Sequence, residues 1–145
     1  MYEVPQHYRV KVFEPRARLV NEDPKKLIQK ALNNPLNSLR LEERVQPNDK
    51  VLIVCDDLTR PTPADLLLPL ILDRLNKAGV PDSDIEILFA LGTHRSMTMD
   101  EMQEKVGAKI IHRVACHNHN AYDESALDYF GESEEGIPVW FTLLD

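Results

Sequence analysis

Five consecutive apolar residues, Val51-Leu52-Ile53-Val54-Cys55, run directly into the polar stretch Asp56-Asp57-Leu58-Thr59-Arg60-Pro61. An unbroken apolar run of this length is the mark of a strand buried on both faces of a parallel sheet. A helix is predicted next, from about Pro63 to Ala78, with Leu66, Leu67, Leu70, Ile71 and Leu75 as its buried stripe. Pro69 should kink it or delay its regular part, and Gly79 should stop it. Residues 84–90 form the next strand, ending at Leu91-Gly92-Thr93-His94-Arg95. Thr98-Met99-Asp100-Glu101 is a capping box that opens another helix, closed by Gly107. Residues 109–114 give a third strand. Strand, polar loop, helix, strand, polar loop, helix, strand specifies βαβ units: an α/β fold, Rossmann-like, with a mostly parallel sheet.

The flanks are less sharply patterned. Residues 8–14 alternate loosely and read as an early strand, an edge one given Arg9 and Lys11. Asp23 followed by Pro24 opens a helix with Leu27, Ile28, Ala31 and Leu32 on one face, ended by Asn33-Asn34-Pro35. Residues 35–49 read as irregular. After Cys116-His117-Asn118-His119-Asn120 come a short helix near 123–130, a turn from Gly131 to Gly136, and a last strand over 139–143. That strand stops at Leu144-Asp145, which reads as truncation of a longer protein. The expectation is one α/β domain over 1–145, in which the strand and helix of 1–45 are less firmly specified.

Composition narrows the partners. The 145 residues are 43% apolar and 28% charged, as in a soluble globular protein, and are long enough for one sizeable core. A net charge of -7 argues against nucleic acid and anionic membranes as partners. No apolar run is long enough to span a bilayer, and the first residues lack the form of a secretory signal. Two cysteines make no disulfide framework. A cytoplasmic protein is expected.

Two adjacent parallel strands end on the same sheet edge, so the loops at 57–61 and 92–95 open together, each before a helix N-terminus. Ligands of open α/β sheets bind in that crevice, and helix N-termini there favour anions. Arg60 offers a fork suited to a carboxylate, His94 can exchange protons near neutrality, and Asp57 could orient either. Taken singly, Asp56 and Asp57 read equally as capping and turn residues, Arg60 as a surface residue and His94 as a loop histidine. The residues alone specify a small-anion site with a possible acid-base histidine. His112, Cys116, His117 and His119 offer a weaker metal-site reading, since His117 and His119 would share a side of an extended segment. Met97, Met99 and Met102 read as packing. A non-catalytic anion-binding module and a metal-dependent hydrolase using residues 112–119 stand as alternatives.

Asp57-Leu58-Thr59-Arg60-Pro61 resembles the D-x-T-R-P motif of lactate racemase-type proteins, and Gly92-Thr93-His94-Arg95 the G-T-H-R segment one βα unit later. The phrase Asn118-His119-Asn120-Ala121, then Gly131 and Gly136-Ile137-Pro138-Val139, is similar to the family's continuation, so the likeness covers about residues 45–145. It implies the N-terminal part of a two-domain 2-hydroxyacid racemase or epimerase, working by hydride transfer to a nickel-pincer nucleotide. His94 would be an acid-base histidine, Arg60 and Asp57 substrate-binding residues, and Thr59 and Thr93 cofactor contacts. The family's second catalytic histidine, its cofactor-bearing lysine and its nickel-ligand histidine match no position here. The remainder of the polypeptide and a small 2-hydroxyacid are the implied partners, and the chain alone is expected to be inactive.

Overall fold

The computed structural model describes residues 8–14 and 21–142. Its centre is a three-stranded parallel sheet in the order β1-β2-β3, formed by β1 (Val51–Asp56), β2 (Ile85–Ala90) and β3 (Ala115–Asn118). Helix α1 (Pro24–Asn33) precedes the sheet, α2 (Ala64–Lys77) joins β1 to β2, and α3 (Met99–Val106) with α4 (Ala108–Ile111) joins β2 to β3. A separate antiparallel hairpin follows, β4 (Leu127–Glu132) with β5 (Pro138–Thr142). The predicted α/β class is therefore what the chain adopts.

Both crossovers advance in the same direction, and right-handed crossovers of that kind place their helices on one face. The core accordingly lies on a single side of the sheet. Ile85, Ile87 and Phe89 of β2 and Cys55 of β1 pack with Leu68, Leu72 and Leu75 of α2, Val106 of α3 and Ile110 of α4. The other face is open along β1, contrary to the two-faced burial expected from the apolar run: Leu52 is 42% and Val54 62% exposed, while Leu88 of the middle strand is buried. An unbroken apolar run shows that a strand can be covered on both sides, whereas the connectivity decides whether it is.

Four further expectations are corrected. Residues 8–14 form no strand, and Val12 and Phe13 are exposed. The buried stripe of α2 is Ala64, Leu68, Leu72 and Leu75, with Leu66, Leu67, Leu70 and Ile71 only half-buried. Six of the seven residues from 66 to 72 are Leu or Ile, so periodicity could not fix the rotation of the helix. The third strand begins at Ala115 instead of residue 109. Val106, Ile110 and Val114 are all buried, at a spacing of four, and this helical period won over the β-branched content of 109–114. The helix near 123–130 is a single 3-10 turn, Glu124–Ala126, followed by β4.

Other details fall where the sequence put them. Asp23 caps α1 by accepting from the Lys25 N–H, and Pro24 occupies its first turn. Helix α2 starts at Ala64 and includes Pro69, so the expected delay of its regular part does not occur, whereas Gly79 follows its end as expected, at φ 96°, a conformation open chiefly to glycine. The Thr98–Glu101 capping box is formed in both directions. Arg74 of α2 bonds the Leu32 carbonyl and Glu42, tying the N-terminal helix to the core. No helix of the described residues is long and apolar enough to cross a membrane.

Candidate active site

The loops after β1 and β2 meet at the carboxyl edge of the sheet. Gly92 takes φ 58°, the left-handed region, at the turn after β2. The His94 N–H then donates to the Leu91 carbonyl at 3.0 Å, which brings the imidazole back toward the first loop. There His94 Nδ1 bonds Asp57 Oδ2. Asp57 is buried, and its other oxygen accepts from both the backbone N–H and the hydroxyl of Thr59. The Thr59 hydroxyl, then the His94 ring, pull the Asp57 carboxyl down to about 2. It is thus ionised at neutral pH, and the bond to His94 requires the imidazole proton on Nδ1. Neutral His94 then presents an unprotonated Nε2.

Asp57 and His94 form a wall shared by two depressions. One, of about 290 Å³, also takes in Arg60, Gly92 and Thr93. The other, of about 400 Å³, is bordered by Leu58, Thr59, Met97 and Arg95. The two arginines of these loops differ in availability. Arg95 is locked in a bidentate pair with Glu101 at 2.8 and 2.6 Å. The exposed guanidinium of Arg60 bonds none of the described residues. Arg60, Asp57, His94 and Thr93 are thus brought to one depression, while Thr59 holds Asp57.

The His/Cys group of 112–119 does not converge. His117 points from the open sheet face toward Glu86, 3.2 Å away. Among the described residues no three His, Cys, Asp or Glu side chains could hold a metal ion together. Three supporting residues escaped the sequence. Lys105 is buried and reaches under the first loop, where Nζ donates to the carbonyls of Arg60 and Thr62 and pairs with Asp56. Its position on the Met102–Val106 face of α3 was the available signal. Met97 accepts from the Leu58 N–H through sulfur and is held by two hydrogen bonds to the Asn118 amide.

The family model for the lactate racemase N-terminal domain matches residues 1–143. The chain belongs to that family. This lactate racemase-type domain is 34% identical over 109 residues to a lactate racemase of Lactiplantibacillus plantarum, covering 75% of this chain and 26% of that protein. It is 29% identical over 117 residues to the lactate racemase of Thermoanaerobacterium thermosaccharolyticum, covering 81% and 27%. The structure of the latter's apoprotein superposes with a TM-score of 0.72 at 27% identity, over 81% of this chain and 28% of that one. A Thermotoga maritima protein gives 0.63 at 26% identity, over 84% and 30%. The chain spans about a quarter of the length of the curated relatives it matches.

The Asp57 geometry has a consequence in acid. A carboxylate whose folded value lies below its ordinary 3.8 adds stability that is complete above about pH 4 and is lost as pH falls toward 2. Glu101, held down to about 2 by Arg95 and then by the Thr98 N–H, acts in the same window. Thermal melts from pH 6 to 2 should therefore drop steeply below pH 4. In Asp57→Asn the drop should be shallower, and an unchanged slope would show that Asp57 is not a contributor.

Proposed function

We propose that this domain supplies the carboxylate-binding and proton-handling half of a 2-hydroxyacid racemase or epimerase. The observation that supports this most directly is the Asp57–His94 pair beside an unengaged Arg60 at one sheet edge. Arg60 binds the substrate carboxylate through its fork. His94 Nε2 takes the proton from the C2 hydroxyl, and Asp57 stabilises the imidazolium that results. An alkoxide forming at C2 eases departure of the C2 hydride, so a base belongs at that hydroxyl.

The hydride acceptor that the resemblance implies is a nickel-pincer nucleotide. The family's cofactor-bearing lysine and nickel-ligand histidine match no position in this sequence, so these residues do not fit it on their own. Its holding falls to other parts of the enzyme. On this reading the 145 residues bind substrate without turning it over.

Binding can be tested on the chain itself. Lactate titrated into the ¹⁵N-labelled protein should shift the amides of Arg60, Thr93 and His94, with a dissociation constant on the order of millimolar, as suits one ion pair and one hydrogen bond. Arg60→Lys should weaken it, since lysine keeps the charge and loses the fork. Shifts confined to residues away from both loops would overturn the assignment.

A further inference from the structure

We infer that Lys105 is a positioning residue, a clamp beneath the loop that presents Arg60 and Asp57. This rests on the reading of that loop as the carboxylate-binding element. Lys105 is 5% exposed and lies on α3, one βα unit further along the chain than the loop it holds. Its ammonium group has three protons, and three acceptors surround it. They are the Arg60 carbonyl at 2.9 Å, the Thr62 carbonyl at 3.2 Å and Asp56 Oδ1 at 2.7 Å. The second oxygen of Asp56 accepts from the Thr62 hydroxyl. One buried cation therefore fixes the start, middle and end of the 56–62 segment.

A buried lysine is costly unless paired, and a methionine of similar shape would pack α3 as well or better. The geometry explains why a charge sits there. Residues 57–63 include Pro61 and Pro63, which have no N–H, and the loop has few backbone bonds of its own: Arg60 N–H to the Asp57 carbonyl, and Ala64 N–H to that of Thr62. The Arg60 carbonyl has no backbone donor among the described residues and needs one, while the Thr62 carbonyl keeps a second lone pair besides the bond from Ala64. Lys105 supplies it from outside the loop. The Arg60 backbone is thereby held while its guanidinium is left for a ligand. Lys105 touches neither Asp57 nor His94 through any hydrogen bond or ion pair, so the clamp acts on Arg60 and not on the proton-handling pair.

The test is Lys105→Met in the 145-residue protein, with three readouts. Hydrogen exchange at the Arg60 amide should accelerate at least about tenfold, as its turn opens locally. The lactate dissociation constant should rise about tenfold, within the loss expected for a misplaced binding group. The amide chemical shift of His94 should stay at its wild-type value. A lower melting temperature with unchanged exchange at Arg60 and unchanged lactate affinity would make Lys105 a stability residue only, and would overturn the clamp. Should Lys105→Met fail to fold, Asp56→Asn removes the ionic partner of Lys105 and should produce smaller changes in the same direction; unchanged exchange at Arg60 and unchanged lactate affinity there would overturn the clamp equally. If wild-type protein shows no lactate binding, the proposed function fails, while Arg60 exchange still decides the clamp.

Discussion

His94→Gln, in a full-length racemase carrying this domain, should lower turnover by about 10³- to 10⁴-fold, the upper part of the range for an acid-base group. The upper part applies on the proposed reading, in which removal of the hydroxyl proton is obligatory. Glutamine can still donate an amide N–H toward Asp57, but it offers no basic nitrogen. The fold should be indifferent. The His94 side chain is half exposed, and Asp57 keeps its two bonds from Thr59. A stability change within about 0.5 kcal/mol is expected of such a surface position. Racemisation rate, melting temperature and cofactor content, each measured beside wild type, check the three parts. Retention of more than about a tenth of the rate, a smaller loss than acid-base groups give, would remove His94 from the role of base.

Phe89→Ala should cost about 3–5 kcal/mol of stability, a large share of what a domain of this size possesses. Phe89 is fully buried near the carboxyl end of the middle strand, paired in register with Cys55 on one side and Asn118 on the other. The core around it is built from strands and helices on one side of the sheet, so the space cannot readily close. Val54→Ala offers the contrast. Val54 lies on the uncovered sheet face, so its truncation removes little apolar surface from contact and should cost under about 1 kcal/mol. Urea unfolding of the two variants gives the comparison directly. Equal losses would mean that the open face is covered in solution.

The difference between those two residues also marks what could be read from the sequence. Strand positions were legible at β1 and β2, because a short apolar run between turn signals has few other solutions. The capping box at Thr98 and the stop at Gly79 were legible because their chemistry is local. The same run could not disclose its open face, which follows from the order of strands and the hand of the crossovers. Residues 109–114 misled because Ile110 and Ile111 suit a strand by propensity, while burial followed the helical spacing of Val106, Ile110 and Val114. At the site, Asp57, Arg60 and His94 were found from their places after two successive strands. Lys105 was not, since a lone lysine in the last turn of a helix ordinarily faces water and favours the helix dipole.

The bonds that shape this site join residues far apart in the chain. Asp57 and His94 are separated by 37 positions, Leu58 and Met97 by 39, and Arg60 and Lys105 by 45. The first two close only once β1 and β2 have come together across α2, and the third waits on α3 as well, since each carries the entropy of a long loop. The site is therefore expected to complete only once the strands that carry its two loops have paired. Substitutions within it should act on the rate of unfolding and leave the rate of folding nearly untouched. The chemistry of the loops is in this way kinetically separate from the formation of the sheet that carries them.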